Sequence, residues 1–250
     1  MKIIGISGRK QSGKNTIANY INGDVLLNRQ MINNFYIDLD GKLIISTENS
    51  DGQTGYGEFD VTRKDEVFVN YAERDLWPYI KVYHFADPLK EMSVSLFGLN
   101  AKNIYGSDED KNQATPFLWK DMPGVVRRQK DLSKNMTHRE FLEFFGTNII
   151  RKIKNNAWSE FTIKRIISEK PEIAIIPDVR FPNEVESIKN NGGIVIRLTR
   201  DVFSSDSESE TALDNNVYNW DNFDTVIDNR NMSLEQLCGY LKANYFMWRN

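Results

Sequence analysis

The chain has 250 residues, 40% of them hydrophobic and 27% charged, with a formal net charge of −3; that size holds one α/β domain or two small ones, and without a basic excess duplex nucleic acid is excluded as the main partner. Cys238 is the only cysteine, which excludes an intrachain disulfide and a cysteine-cluster metal site and fits a reducing compartment. No apolar stretch approaches the roughly 18 residues of a membrane span, and the N-terminal apolar run is too short for a signal peptide, so the expectation is a soluble cytoplasmic protein with no membrane partner.

Lys2 to Ser7 carries Ile3, Ile4 and Ile6 in a short apolar run and reads as a buried strand. Gly8 to Lys14 is the turn after it, and Thr16 to Ile21 reads as a helix with Ile17, Ala18 and Ile21 on one face. From Gly23 to Lys81 the pattern changes, and 23–81 reads as an antiparallel, hairpin-rich insertion. "NFYIDLDGKLIIST" sets two β-rich runs around Asp40-Gly41, a pair that favours a type I′ turn. "ENSDGQTGYGEF" reads as a polar, glycine-rich loop and "EVFVNY" as a further strand.

The α/β pattern resumes with a strand from Lys81 to Phe85. Asp87 is placed to cap the next helix, Pro88 to take its first position and Gly98 to end it. Residues 100–135 are polar, with mixed charge, and read as a long loop or lid with short helices at most. Thr137-His138-Arg139-Glu140 is a capping box opening a helix through Phe145, with more helix to Lys170 before Pro171. "EIAIIPD" is the third strand and Pro182 to Asn190 a helix. "IVIRLT" is the fourth strand, Asp201 to Asn216 an acidic, serine-rich stretch and "DTVIDN" the fifth strand. Ser233 caps a final amphipathic helix. Strands alternating with helices predict a parallel sheet with right-handed crossovers. The turns after Ser7, Phe85, Pro177 and Thr199 then share the rim where such sheets bind ligands.

The leading chemical signal is "GRKQSGKNT", Gly8 to Thr16. Gly8 and Gly13 let the backbone turn so that successive N–H groups, those of Gln11 and Ser12 included, face one anion. The following helix adds its positive end, and Lys14 reaches the β- and γ-phosphates. Asn15 stands where Ser or Thr usually follows the lysine, and Thr16 comes one position later. The same shift occurs in nucleoside monophosphate kinase loops that read GKGT, where the later Thr serves the α-phosphate and Mg²⁺ is held mostly through water.

Asp178 closes a buried strand on the ligand rim, where a carboxylate can orient Mg²⁺-bound water. Arg180 can reach phosphate oxygens with its planar fork. An Asp–Arg pair that only ties down the turn is the alternative. Asp87 is either a helix cap or a ligand contact. Lys90 lies in a helix's first turn, where the dipole disfavours a cation; an anionic ligand or plain solvation accounts for it equally. Arg139 and Arg151 are candidates for phosphate contacts or surface residues, and Gly146 and Thr147 for a break that exposes helix N–H groups. Trp158 is a base-stacking or a core residue; Phe141, Phe144 and Phe145 read as core. Lys120, Arg127, Arg128, Lys130 and Lys134 make the lid-like segment basic, which reads either as a lid that brings cations to the migrating phosphoryl group and excludes water or as a solvated charged face. His84 and His138 are too few for a histidine metal site.

Taken together, "GRKQSGKNT", "FADPLKEM", "THREFLEFFGTNIIR", Trp158, "IIPDVRFPNEVESIKNNGGIVIRLTR" and "SESETALD" resemble the bacteriophage deoxynucleoside monophosphate kinase family. The resemblance covers the N-terminal loop and most of the chain after Lys81. It implies an adenylate-kinase-like α/β fold, a single phosphate-loop kinase domain over 1–250 with a five-stranded parallel sheet. It also implies ATP and Mg²⁺, conversion of deoxynucleoside monophosphates to diphosphates, a homodimeric precedent and a host cytoplasm. Carried over by position, Gly8, Gln11, Ser12, Gly13, Lys14, Asn15 and Thr16 bind ATP. Lys10, Asp87, Lys90, Arg139, Gly146, Thr147, Arg151, Trp158, Asp178 and Arg180 surround the monophosphate or the transferring group, and Glu210 lies near either nucleotide. Lys14, Arg139, Asp178 and Arg180 carry the transfer, with Asp178 and Thr16 the metal candidates. Two features depart from the family: Asn15 replaces the Asp of its GKDT or GKDS loop, and the 23–81 insertion is longer than the family's connection. Another small-molecule kinase of the phosphomevalonate-kinase type and a nucleotide-binding regulator without turnover are the competing readings. The insertion's apolar side, Phe35, Ile37 and Leu39 with Leu43 and Ile45, must pack on something, either the parent domain or, the favoured expectation, a second subunit.

Overall fold

The computed structural model describes residues 1–48, 51–125, 132–202 and 207–249. In chain order the first elements are β1 (Lys2–Ser7), α1 (Lys14–Asn28), β2 (Asn34–Ile37), β3 (Leu43–Glu48), β4 (Thr54–Glu58), α2 (Glu66–Asp75), β5 (Ile80–Val82) and α3 (Asp87–Ser95). Next come α4 (Ala101–Tyr105), α5 (Asp108–Lys111), β6 (Ala114–Leu118), β7 (Asn135–Thr137), α6 (His138–Glu143), a π-helical stretch (Phe144–Ile150), α7 (Arg151–Ile153) and α8 (Ala157–Glu169). The last are β8 (Ile173–Val179), α9 (Pro182–Lys189), β9 (Ile194–Leu198), α10 (Glu208–Thr211), β10 (Thr225–Ile227), α11 (Leu234–Ala243) and α12 (Phe246–Arg249). Two compact units result, Met1–His84 with Thr162–Asn250, and Phe85–Phe161.

The first unit is built on a five-stranded sheet in the order β10-β9-β1-β8-β5. Every pairing in it is parallel, as the alternating sequence pattern predicts. β1 and β8 are buried almost throughout, which is why they read as continuous apolar runs rather than alternating ones. One irregularity matters for chemistry. Between β1 and β8 the register steps from Gly5↔Ile176 to Ser7↔Val179, so β8 carries one extra residue. Pro177 has no N–H for the ladder, and a bulge is where a strand interior tolerates it. The bulge re-aims the next side chain: Asp178 is half-buried while Ile176 and Val179 are fully buried.

α1 extends to Asn28, past the Ile21 expected from the sequence and into the stretch read as insertion. The antiparallel sheet β2-β3-β4 follows. Its apolar side covers α1 of the same chain. Leu43 and Ile45 are buried in the main core, and Phe35 and Ile37 pack against it. A Cβ on Gly23 of α1 would fall 2.3 Å from the Phe35 ring, so the helix is shaved to admit that ring. The expectation that this apolar side meets a second subunit is therefore corrected: the chain covers it itself. Leu39 is not part of it, being 96% exposed at the hairpin tip. The turn is not type I′ either. Gly41 has φ +80°, but Asp40 is absent from the positive-φ residues, and a type I′ turn needs both central residues there.

"EVFVNY" is helical rather than extended. Asp65 caps α2 by accepting the Phe68 N–H, and Phe68 and Ala72 are its buried face. The i, i+4 pairing of those two residues outweighs the β-branched content of the run.

The Phe85–Phe161 unit has its own apolar cluster around Ile104, Trp119, Met136, Phe141 and Phe145. Ala86, not Asp87, is the N-cap position of α3, with no side-chain cap, and Asp87 is the first helical residue. β6, inside the 100–135 segment read as a lid with short helices at most, is a strand that pairs antiparallel with β7 at the segment's end. Of the lid cations, Arg127, Arg128 and Lys130 lie outside the described residues. The Thr137–Glu140 capping box is present. Gly146 and Thr147 do not break the helix: a π-helical stretch carries the backbone from α6 into α7, so no new helix N-terminus opens there.

Candidate active site

The loop after β1 closes on itself around Lys14. Gly13 takes φ +101° and ψ 15° at the helix N-cap position, with no side chain capping it, leaving the first-turn N–H groups directed at the loop. Lys14 is 9% exposed. Its ammonium donates to the carbonyl oxygens of Gly8 and Arg9, each at 2.6 Å. Burial lowers its pKa from the ordinary 10.5 to about 8; the charges of Arg180 and Arg197 push the same way, and those of Glu210 and Asp178 oppose them. Those four side chains are thus the electrostatic surroundings of the Lys14 ammonium. The Ser12 hydroxyl is buried without a hydrogen-bond partner among the described residues, an arrangement that costs stability. Asn15 is exposed and Thr16 half-buried.

Two further strand ends brace this loop. Arg180, just past the β8 bulge, forms an ion pair with Glu210, and the other Glu210 oxygen accepts the Lys10 N–H at 2.7 Å. Glu210 therefore bridges the phosphate loop and the β8 turn. Glu184 in α9 accepts the N–H groups of Arg180 at 2.7 Å and Phe181 at 3.1 Å. Asn229, fully buried after β10, donates to the Ser12 carbonyl at 2.8 Å and accepts the Arg200 N–H at 2.9 Å. Reading residue types along the chain did not single out Glu184 or Asn229. Their roles come from backbone groups they satisfy, which only the fold brings near; the signals available were a Glu in the first turn of a rim helix and an Asn just after the fifth strand.

Beside the loop is a cavity of about 440 Å³ lined by Arg9, Arg197, Arg200, Asp201, Asp214 and Trp220, among others. Arg9 pairs with Asp201 at 3.1 Å and with Asp214 at 2.5 Å. Arg197, 4% exposed, donates to Ser7 Oγ at 3.0 Å and lies 5.2 Å from the Trp220 ring centroid, while its Nε has no hydrogen-bond partner among the described residues. Arginine, aromatic and carboxylate groups in one hollow suit a planar, polar ligand.

The Phe85–Phe161 unit holds the other predicted residues. Lys90 sits 5.5 Å from the Tyr105 ring centroid. Arg139 donates to Asp108 at 2.7 Å and to Asn112 at 3.3 Å. Arg151 and Thr147 are half-buried. Gly146 is packed so closely that a Cβ would meet Leu89 at 2.8 Å. Trp158 is 7% exposed and donates from Nε1 to the Gly146 carbonyl at 3.3 Å. Its ring is core, with little face left to stack on a base, and its indole N–H braces the Gly146 backbone.

Among the described residues no group of three or more His, Cys, Asp or Glu side chains has the arrangement of a metal site, and no helix is long and apolar enough to cross a membrane. Asp178 and Thr16 are therefore not parts of a protein-built metal cage. One carboxylate beside a phosphate loop fits Mg²⁺ that arrives with phosphate oxygens as its other ligands.

A family model described as deoxynucleotide monophosphate kinase matches residues 2–240. A protein of Acanthamoeba polyphaga mimivirus named "Putative deoxynucleotide monophosphate kinase" is 31% identical over 134 residues, which is 49% of this chain and 62% of that protein. The chain thus matches less than two thirds of that relative's length.

Proposed function

The chain belongs to the deoxynucleotide monophosphate kinase family, and from that premise we propose that it transfers the terminal phosphoryl group of ATP to a deoxynucleoside 5′-monophosphate. A phosphate oxygen of the acceptor attacks the γ-phosphorus. The bond from that phosphorus to the β,γ-bridging oxygen breaks, and the products are ADP and the deoxynucleoside diphosphate. The observation that carries this reading is the Lys14 site: a buried ammonium, held by two carbonyls of its own glycine loop and acted on by the charges of Arg180, Arg197, Glu210 and Asp178.

The roles follow from placement. Gly8, Gln11, Ser12 and Gly13, with the first turn of α1 from Lys14 through Asn15 and Thr16, receive the ATP phosphates through backbone N–H groups. Ser12 supplies a buried hydroxyl in need of a partner. Lys14 leaves the loop carbonyls for the β- and γ-oxygens, where its charge offsets the negative charge that builds on the leaving ADP. Arg180 stabilises the migrating group, positioned by Glu210, and Lys10 joins it through the same carboxylate. Asp178, turned out by the bulge, would hold Mg²⁺ through its bound water, and the metal would supply positive charge to offset that of the phosphates. On the Phe85–Phe161 unit, Lys90, Arg139 and Arg151 supply cations for the monophosphate, Gly146 and Thr147 a backbone surface, and Trp158 the support beneath it. Asp87, in the first turn of α3, is assigned to the same substrate. The protein acts in the cytoplasm, that of a host cell if a phage encodes it.

Incubation with ATP, Mg²⁺ and each of the four deoxynucleoside monophosphates, followed by chromatography, tests the proposal. The expected product is a deoxynucleoside diphosphate with stoichiometric ADP. ATP binding without any diphosphate would identify a nucleotide-binding regulator instead. Turnover of mevalonate phosphate alone would identify a different small-molecule kinase.

A further inference from the structure

The antiparallel sheet that covers α1 ends in a turn, Asp38 to Lys42, that lies against the phosphate-binding helix. Gly41 is its contact point. A Cβ built on Gly41 would stand 2.5 Å from Thr16 Oγ1 and 3.5 Å from Thr16 Cβ. The first distance is shorter than real Cβ atoms allow; the second is ordinary contact. The Gly41 carbonyl also accepts a hydrogen bond from Asn19 Nδ2 at 2.9 Å. Thr16 and Asn19 are three residues apart and share one face of α1. The turn therefore touches that face twice, at the first turn of the helix and one turn further on.

The turn is stiff. The Asp38 carboxylate accepts the N–H groups of Asp40 at 3.0 Å and Lys42 at 2.8 Å, and the Asp38 carbonyl accepts the Gly41 N–H at 2.9 Å. Lys42 pairs with Glu58 on the neighbouring strand at 2.7 Å. Further along α1 the sheet is seated by Phe35 against Gly23. A rigid turn, fixed to a sheet that is itself fixed to the helix, sets the side chain it presses on.

We propose that Gly41 is a positioning residue for ATP binding: it holds the Thr16 hydroxyl and the first turn of α1 in the orientation that receives the triphosphate. The proposal rests on the reading that the Gly8 to Thr16 loop binds ATP. It gives the insertion a task in the reaction that the five-stranded sheet alone does not supply, and it makes glycine necessary at position 41 for space as well as for its φ of +80°.

Gly41→Ala should raise KM for ATP roughly tenfold, the scale of a small overpacking defect, and leave KM for the monophosphate within about twofold. Gly52→Ala is the control for backbone strain. Gly52 has φ +75° in the next turn, and its nearest atom, on the Glu48 side chain, is at 3.5 Å; this variant should keep the wild-type KM for ATP. In a Thr16→Ala background, Gly41→Ala should add no further rise, because the atom it collides with is gone. Asn19→Ala, which removes the second contact, should raise the same KM by a smaller factor and carries the test if Gly41→Ala does not fold. A wild-type KM for ATP in Gly41→Ala, or an undiminished effect without the Thr16 hydroxyl, would overturn the inference while wild-type turnover leaves the proposed function standing. Absence of ATP binding by the wild-type protein would overturn both.

Discussion

Lys14 and Arg139 are both cations assigned to phosphate, yet the two units of the molecule hold them in opposite ways. Lys14 is 9% exposed and is satisfied by backbone carbonyls of its own loop. Those partners are neutral, so the ammonium keeps most of its charge for a ligand. Arg139 has a third of its side chain exposed and is paired with Asp108, itself more than half exposed. That partner already neutralises it, and solvent screens the remainder. A buried charge whose direct partners are all neutral carbonyls is expensive, and a fold retains one where a ligand repays the cost. An exposed ion pair costs little and is weak ground for assigning a task. The comparison predicts that substitutions in the loop change catalysis steeply and that those at Arg139 change it shallowly.

The largest effect is expected at Lys14. Lys14→Ala should lower kcat by about 10²-fold or more while ATP binding weakens less, because the ammonium matters most as charge moves to the leaving oxygen. Steady-state kinetics with saturating monophosphate decide it. A kcat near wild type would remove the contrast between the two units.

Asp178→Asn and Arg180→Ala come next, each with a loss of roughly tenfold or more in kcat, the scale of one lost charge-assisted contact. They should separate when Mg²⁺ is titrated. In the proposed roles, raising Mg²⁺ should restore part of the Asp178→Asn activity, because the carboxylate would act on metal-bound water. It should leave Arg180→Ala unchanged, because the guanidinium would act on the phosphoryl group directly. If both variants match wild type, the Pro177 bulge is a structural accommodation and nothing more.

The Lys14 surroundings also predict a pH dependence. Its folded-state pKa is about 8, depressed from 10.5. Below pH 8 the ammonium is charged and ready for ATP; as pH rises through 8 the free enzyme loses that charge. The profile of kcat/KM for ATP should therefore fall above about pH 8, since that parameter reports the free enzyme. In kcat the fall should move to higher pH, because the bound triphosphate favours the protonated form. Stability runs the other way. The unfolded chain holds the proton up to 10.5 and the folded one gives it up near 8, so this residue's burial penalty shrinks between those values. Lys14→Arg should abolish the limb near pH 8; its persistence would assign it to another group.

How far each region was legible in the sequence follows the same division. The phosphate loop and the parallel sheet are dictated locally. Gly8, Gly13 and Lys14 have fixed spacing, and the strand Ile173–Val179 is apolar up to its Pro177 bulge because both its faces are covered there. Ser233, Thr137 and Glu140 announced their caps for the same reason: a cap acts within one helical turn. Long-range partners were not legible. Nothing in the sequence near Glu210 says that it will meet the Lys10 N–H, or near Asn229 that it will hold the Ser12 carbonyl. The α2 helix was misread because valine and phenylalanine in "EVFVNY" favour a strand, while the capping Asp65 and the buried pair Phe68 and Ala72 decide for a helix. The apolar side of β2 and β3 was legible as a surface needing cover, but its partner, α1, is identified only by the gap at Gly23.

The smallest expected effect sharpens the comparison from the weak side. Asp108→Asn removes the counter-ion of Arg139 and keeps the side chain's size. The pair is close, at 2.7 Å, but both groups reach solvent. Exposed pairs of this kind contribute roughly 0–1 kcal/mol, so the loss of folding stability, measured by urea denaturation, should be at most about 1 kcal/mol. Arg139 keeps its contact with Asn112 at 3.3 Å and gains an uncompensated charge. If that charge serves the monophosphate, KM for the monophosphate should fall by about twofold at low salt. The difference from wild type should then vanish as added salt shortens the screening length toward about 3 Å at 1 M. Arg139→Ala should shift KM the opposite way by a similar factor, leaving kcat nearly constant. A large drop in kcat from Arg139→Ala would show that this exposed, paired arginine loses its counter-ion during the reaction and works at the transferring group, and the distinction drawn between the two units would then hold only for the protein without substrate.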